Sequence, residues 1–512
     1  LTDTLPEQKR QNKVQSYDDL LLNLDHALQG ERGDWLVEQC RKQYQAALID
    51  EFQDTDPVQF RSFSRIYADS GLPTFLVGDP KQAIYSFRGA DIFTYLQAKS
   101  HAEHVHTLGT NWRSHPDLVG AVNVIFSRRE SAFMYDDIPF NSVDAQRDDE
   151  AVLVLDNNID SQEQPQSALQ VLWLNTEEKN TKTALMHRAA ECTADEITVI
   201  LNQAQAGTAR LKNAKTSQYH AVSGGDIAVL VRNHKQAKAI QQCLQQRGVN
   251  SVQQGRETVF SSQEAMVLLR VLQAIAQPNN QSLITAALAT PLWGLNSDSL
   301  YQLKQDDVQW QAQCDVFYEW HQLWITFGFM RVFRQILSSL AVPQRLLNLQ
   351  NGDRQLTNLN HLAELLQTNH QQHSHNMALM ITWLSQHIND ADGDNEQAQL
   401  RLESDEQLVK IITIHKSKGL EYPIVFCPFL WDANLRSAKD EVVRFHQDDE
   451  TKQNCAALSE PDLSLAKESV TVEEQAEDIR LLYVALTRAR ERCVILWGNI
   501  KQVEKSALFG LL

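Results

Sequence analysis

LIDEFQDTD at 48–56 and FLVGDPKQAIYSFRGAD at 75–91 decide the fold. The strands they contain, AALID at 46–50 and TFLVGD at 74–79, are nearly continuous in apolar character and end in carboxylates. Short runs of that kind predict buried strands of a parallel sheet. In open α/β sheets the reactive groups collect at the carboxyl ends of such strands. Asp50 is placed to hold a magnesium ion, which takes one or two carboxylates together with substrate phosphates. Glu51 is placed to polarise or deprotonate an attacking water. A lone carboxylate pair of this sort is most often just an acidic turn, but Gln53, Asp54 and Thr55 shift that balance. Gln82 offers an uncharged amide to a terminal phosphate, and Tyr85 and Phe87 offer flat faces beside the charge of Arg88. Aromatics beside a cation suit single-stranded nucleic acid, where stacking contributes roughly 1–3 kcal/mol per base. Taken alone, the two rings read as core residues.

Working outward, residues 1–15 read as a polar tail, HVHTLGTN at 104–111 as a further strand, and 128–165 as an irregular connector. A strand follows at 226–232 and a helix at 235–247. Residues 262–405 are helical in pattern almost throughout. The α/β character returns with KIITIH at 410–415, PIVFCPF at 423–429 and CVILWG at 493–498, while 432–475 has the charge and weak periodicity of a surface loop. Ile479, Leu482, Tyr483 and Leu486 form an apolar stripe, which sets Arg480, Val484 and Arg488 on another face and aims Arg488 away from the core toward a cleft.

The chain has 512 residues, enough for about three domains. Its 43% hydrophobic and 22% charged content is that of a globular protein, and no apolar run has the length of a membrane span. Seven dispersed cysteines without a CxxC pair read as reduced thiols, which fits a cytoplasmic protein and disfavours zinc or iron–sulfur sites. The net charge of −18 opposes nucleic-acid binding in the mean, but acidic residues concentrate at 144–150 and 390–406 and leave room for a local basic groove. His370, His373 and His375, like His101, His104 and His106, lack acidic or cysteine companions and read as polar surface rather than metal ligands. Phe317, Trp320, Trp324 and Phe327 follow helical spacing, with core packing the default and a docking face the alternative.

DEFQDT followed by VGDPKQAIYSFRGA resembles motifs II and III of the UvrD/Rep/RecB superfamily 1 helicases. TNWRS at 110–114, ITIHKSKGLEYPIVF at 412–426 and EDIRLLYVALTRARER at 477–492 resemble motifs IV, V and VI, in the family's order. The flanks YDDLL at 17–21, GADIFTYLQAKS, NWRSHPDLV and RLESDEQLVKIITIHKSKGLEYP are most similar to the RecB branch, the beta subunits of bacterial exonuclease V. The resemblance implies RecA-like P-loop NTPase lobes: a partial first lobe at 1–105, a second lobe at 106–280 and 405–500, a mostly helical insertion at 281–404, and a tail at 501–512. It implies ATP and Mg2+ as ligands, with Asp50 and Glu51 as magnesium ligand and catalytic carboxylate, Gln82 as γ-phosphate sensor, and Arg113 and Arg488 as arginine fingers. Trp112 would stack near the adenine and Glu421 would contact the ribose. Tyr85, Phe87, Arg88, Thr413 and His415 would lie along the DNA strand. The implied partners are single-stranded and duplex DNA with RecC-like and RecD-like subunits, and the implied activity is 3′-to-5′ DNA unwinding in double-strand break repair.

One element of the pattern is missing. A phosphate-handling motor needs GxxxxGK[ST], and the sequence contains no Gly-Lys dipeptide; HKSKGLE at 415–421 has the wrong order. The expectation is therefore a fragment of a longer protein, with the phosphate loop upstream of Leu1, a nuclease domain beyond Leu512, and little or no ATPase of its own. Sheet strands that belong at the centre of the first lobe would then stand as open edges. Two other readings stay open: a free-standing UvrD or Rep-type helicase, and a non-hydrolysing DNA-binding or scaffold subunit.

Overall fold

The computed structural model describes residues 4–147, 152–155, 167–174, 181–212, 218–254, 258–348, 352–372, 376–389, 407–433, 443–447, 452, 454–457, 460–498 and 503–512. The chain forms two compact units, one of residues 1–250 with 411–512 and one of residues 251–410.

In the first unit, strands Ala47–Ile49 and Thr74–Leu76 pair in parallel, with Ala47 opposite Thr74 and Ile49 opposite Leu76. The predicted pairing direction is right, but the predicted burial is not: Leu48 is 75% and Phe75 55% exposed. Among the described residues the pair is only thinly covered, with Ala47 and Ile49 half-buried and Thr74–Leu76 exposed, and it is also supported at its ends. The Phe52 amide donates to the Val77 carbonyl at 2.9 Å and the Val77 amide to the Ile49 carbonyl at 2.8 Å. Helix Pro57–Tyr67 starts where it does because the Asp56 carboxylate accepts from the Val58 and Gln59 amides, Gln59 returns a bond to the Asp56 amide, and Pro57 presets the first turn. Its Ile66 packs with Leu28 and Val37 of the preceding helices in a small core. The expected polar tail contains a helix, Thr4–Asn12, and of the expected strand at 104–111 only Thr110–Asn111 is extended and paired, with Asp144–Ala145.

A larger parallel sheet holds strands in the order Val409–Thr413, Ile227–Val231, Tyr422–Cys427, Ala489–Gly498 and Leu169–Leu174. Ile227–Val231 is buried at all five positions, as an unbroken apolar run covered on both faces must be. Leu169–Leu174 lies at the margin and alternates, with Val171 and Trp173 exposed. Helix His234–Gln246 follows Ile227–Val231 and packs on helix Lys182–Gln205. The segment 432–475, expected as a loop, instead contributes the hairpin Val443–His446 with Asn454–Ala457 and the start of a long helix, Glu460–Leu486, that leads into strand Ala489–Gly498. Low amphipathicity hid that helix from sequence reading: Ile479, Leu482 and Leu486 are buried as predicted, but so are Arg480, Val484 and Arg488.

Around the long helix an aromatic cluster forms the core. Phe126 stacks on Phe133 at 5.3 Å and meets Tyr483 edge-on at 5.3 Å, and burial pushes the Tyr483 hydroxyl well above its ordinary pKa.

The second unit is helical, with helices Gln263–Ala276, Gln281–Leu288, Asp307–Phe327, Phe329–Ser339, Gly352–Gln372 and Met377–Asn389 among its elements. Its core gathers Leu268, Leu272, Phe317, Trp320, Trp324 and Phe333. Phe317, Trp320 and Trp324 are core residues, whereas Phe327, at the helix end, is 68% exposed. The side chains of His370, His373 and His375 lie outside the described residues. All seven cysteines are free, and no described helix is long and apolar enough to cross a membrane.

Phe133 is fully buried in the aromatic cluster. Phe133→Ala should therefore cost about 3–5 kcal/mol, read as a lower midpoint in urea denaturation followed by far-UV circular dichroism.

Candidate active site

The carboxylates sit where strand Ala47–Ile49 ends. The Asp50 side chain accepts the Glu51 amide at 2.8 Å, which turns the chain sharply. Glu51 itself adopts φ +51°, a left-handed conformation that costs a non-glycine residue on the order of 1–3 kcal/mol and is typical of functional positions. Gln53, 1% exposed, ties the two strand ends together: its amide nitrogen donates to Glu51 Oε2 at 2.5 Å and its amide oxygen accepts the Asp79 amide at 2.9 Å. The fit leaves no room at Gly78, where a Cβ would meet Gln53 Oε1 at 2.5 Å. Gln82 lies one turn beyond and donates to Asp79 Oδ2 at 3.1 Å. Lys81 also pairs with Asp79, at 2.7 Å.

Lys418 enters this site from motif V, and nothing in its sequence context marks it beyond its place in a false phosphate loop. Its side chain is 5% exposed; its ammonium lies 2.6 Å from Asp54 Oδ2, 3.4 Å from Glu51 Oε2 and 5.2 Å from the centre of the Tyr85 ring. Gly419 follows with φ +79°, the turn that brings the lysine back toward the carboxylates. Burial raises the Asp54 pKa, and Lys418 pulls against that rise.

Beside it the expected DNA-facing residues cluster. The Tyr85 hydroxyl donates to the His415 carbonyl at 2.9 Å, Phe87 meets the His415 ring edge-on at 5.2 Å, and the Arg88 guanidinium lies 5.1 Å from the Tyr85 ring centre. Phe87 is 54% exposed and offers a free face. Burial holds the His415 pKa below its ordinary value, which favours the neutral ring. Thr413 caps the short helix Ile414–Ser417, its hydroxyl accepting the Lys416 amide at 3.4 Å.

The motif IV loop is docked on strand Ala489–Gly498: the Ser114 hydroxyl donates to the Ala489 carbonyl at 2.9 Å and the His115 amide to the Arg490 carbonyl at 2.7 Å. Trp112 is 72% exposed there. Arg113 pairs with Glu421 at 2.6 Å, and Arg490 approaches the same carboxylate at 3.6 Å. Arg488, read from the helical wheel as aimed toward a cleft, is more deeply buried than a solvated helix face would be. It is 2% exposed, donating from Nε to the Val484 carbonyl at 2.9 Å and from Nη1 to the Leu420 carbonyl at 3.2 Å. Burial, and then repulsion from Arg113, pulls its pKa down to about 10, while Glu51 and Glu421 act in the opposite sense. Arg113, Glu421, Arg488 and Glu51 thus share one electrostatic neighbourhood.

Asp50 is exposed at the strand end and its carboxylate, beside Glu51, has the oxygen chemistry a magnesium ion takes when water and phosphate complete its shell. These two carboxylates fit such an ion; a glycine-rich phosphate cradle is not encoded in the sequence.

Acidic strand ends, an aromatic and cationic turn, and arginines gathered by a second sheet accord with the RecA-like P-loop NTPase fold class. Residues 1–103 match the UvrD/REP helicase N-terminal domain, and residues 106–319 and 319–499 match the UvrD-like helicase C-terminal domain. The chain belongs to the UvrD-like helicase family. It is 39% identical to the RecBCD enzyme subunit RecB of Escherichia coli over 96% of its own length and 41% of that protein's. To the corresponding subunit of Haemophilus influenzae it is 38% identical, over 96% of this chain and 39% of the relative. To that of Mycobacterium tuberculosis it is 30% identical, over 96% and 43%. The chain therefore spans about two fifths of the length of these relatives.

Removing Lys418 leaves a half-buried carboxylate without its counter-ion. Lys418→Met should destabilise the chain by a few kcal/mol, on the order of 3. Adding Asp54→Asn should recover part of that loss, so a double-mutant cycle by urea denaturation should give a non-zero coupling.

Proposed function

We propose that this chain is the core of an ATP-driven DNA helicase motor that works as the RecB-type subunit of a RecBCD-like complex, in the cytoplasm of a bacterium. The observation that carries the proposal is Lys418: one buried ammonium 2.6 Å from Asp54 and 3.4 Å from Glu51 joins the carboxylate turn to the segment that also holds His415 against Tyr85 and Phe87. Nucleotide chemistry and strand contact are thereby built on the same few residues.

In this reading Asp50 would hold magnesium, which neutralises phosphate charge when bound. Glu51 would accept the proton of the attacking water, its carboxylate oriented by Gln53 and Lys418. Gln82, held on Asp79, would touch the terminal phosphate. Arg113 would exchange Glu421 for phosphate, and Arg488 would give up its bond to the Leu420 carbonyl to do the same; guanidinium suits both tasks because it stays charged and binds phosphate through a fork. Trp112 offers its free face to the adenine and Glu421, once released, its carboxylate to the ribose. Tyr85, Phe87, Arg88, Thr413 and His415 would contact the single strand, by stacking and charge rather than by base-specific bonds. The partial first lobe would be 1–105, the second lobe 106–280 and 405–500, the helical insertion 281–404 and the tail 501–512. RecC-like and RecD-like subunits would complete the assembly.

Without a GxxxxGK[ST] sequence, the 512-residue chain would hydrolyse little or no ATP. The test is magnesium-dependent ATPase with and without single-stranded DNA, for this chain and for the full-length protein. No turnover is expected from the chain. DNA-stimulated turnover is expected from the full-length protein, lowered about a hundredfold or more by Glu51→Gln. Turnover by the chain that Glu51→Gln abolishes would mean that other groups hold the phosphates. A full-length protein that binds DNA but never hydrolyses ATP would favour a scaffold subunit.

A further inference from the structure

Outside the residues assigned above, a buried charged contact among the described residues of the first unit centres on His446, in the hairpin Val443–His446 with Asn454–Ala457. Its imidazole lies between two carboxylates from different parts of the chain. Nδ1 is 3.1 Å from Glu473 Oε2 on the long helix Glu460–Leu486, and Nε2 is 3.4 Å from Asp91 Oδ1. The other oxygen of Glu473 accepts the His446 backbone amide at 2.8 Å, so Glu473 grips the residue twice. Asp91 caps the helix Ile92–His101, accepting the Phe93 amide at 2.8 Å, and it ends the segment that carries Tyr85, Phe87 and Arg88. The Phe93 ring closes the site at 4.5 Å from the imidazole, with Tyr135 and Lys452 on its far side.

The same face of the long helix holds that segment at two more points. Glu477, one turn after Glu473, accepts the Ser86 hydroxyl at 2.7 and 2.6 Å. Arg480, a further turn on and 4% exposed, donates from Nε to the Ala83 carbonyl at 2.7 Å. Residues 473, 477 and 480 follow the i, i+4, i+7 spacing of one helix face. The helix ends at Leu486, two residues before Arg488. A rigid rod therefore runs from the Arg488 end to residues 83–91, and His446 bridges it to the far end of that segment.

We propose that His446 is a positioning residue that clamps residues 83–91 onto the Glu473–Glu477–Arg480 face of the long helix, so that movement at the Arg488 end reaches the Tyr85–Phe87–Arg88 cluster. The inference rests on the motor reading for its consequence and on geometry for the clamp. Only a charged imidazole attracts both carboxylates: Nδ1 hydrogen-bonds Glu473, while Nε2, which has no hydrogen-bond partner among the described residues, meets Asp91 as an ion pair. Burial alone would lower its pKa, but the contacts with Asp91 and Glu473 outweigh burial and raise it to about 9. The clamp is therefore fully charged below the ordinary value of 6.5 and is lost as the pH rises through about 9.

The test uses the full-length protein with two readouts: amide hydrogen exchange of residues 83–91, and stimulation of ATPase by single-stranded DNA between pH 7 and pH 9.5, a window of roughly one proton's titration around the raised imidazole. His446→Gln should speed exchange across 83–91 and lower the DNA stimulation about tenfold, leaving DNA-free turnover near wild type. His446→Arg, which keeps two donors and the charge, should restore the stimulation and remove its decline near pH 9. Unchanged exchange in His446→Gln, or stimulation that keeps the wild-type pH profile, overturns the clamp. If His446→Gln does not fold, Glu473→Gln in the same two assays decides instead. Absence of turnover in the wild type overturns the motor reading, and the exchange comparison then decides the clamp alone.

Discussion

A lysine ammonium that is almost completely withdrawn from water is tolerable only against carboxylate, and Lys418 has two. Asp54 takes the short contact and Glu51 the long one, so the pair shares one positive charge that neither could hold alone. This contact fixes where the turn after strand Ala47–Ile49 meets the turn before strand Tyr422–Cys427, two segments more than 350 residues apart in sequence. Gln53 then sets Asp79, Asp79 sets Gln82, and Tyr85 reaches His415, each bond following from the placement of the one before. The left-handed backbone of Glu51 is the strain such a junction can sustain.

The candidate site residues stood out in the sequence because they are local: Asp50, Glu51, Gln82, Arg113 and Arg488 lie in motifs that follow the family's order. Fully covered strands such as Ile227–Val231 are equally plain, since an unbroken apolar run has few other uses. What sequence could not show was pairing at a distance. Lys418 looked like part of a failed phosphate loop, and nothing in its neighbours points to Asp54. Arg488 is buried more deeply than its sequence context suggests, because a helical wheel treats the face opposite the apolar stripe as wet, whereas Arg480 and Arg488 are both withdrawn from solvent and donate from Nε to the Ala83 and Val484 carbonyls. The hairpin of Val443–His446 with Asn454–Ala457 was missed because strands of four residues carry too little pattern to read, and His446 is held by Glu473 and Asp91 from elsewhere in the chain.

The acidity of the chain is compatible with the strand contact proposed above because charge is distributed by position. Arg88, Lys418 and the neutral ring of His415 stand together around Tyr85 and Phe87, while Asp54 and Glu51 are turned toward Lys418 rather than toward the aromatic surface. A net charge of −18 acts over long distances and is screened by salt within about 10 Å, whereas the proposed contacts at Tyr85 and Phe87 would be made at stacking distance.

The bare strand pair Ala47–Ile49 and Thr74–Leu76 bears on how the chain behaves as a solute. Leu48, Phe75, Leu76 and Val77 present apolar side chains beside unpaired strand edges, the arrangement on which a second copy can build. Between copies stands only mutual repulsion from −18 charges, a barrier that weakens as ionic strength rises. Colloidal stability of this chain is thus a contest between a sticky strip a few residues long and the acidity of everything around it, and the counter-ion concentration of the solvent sets which prevails.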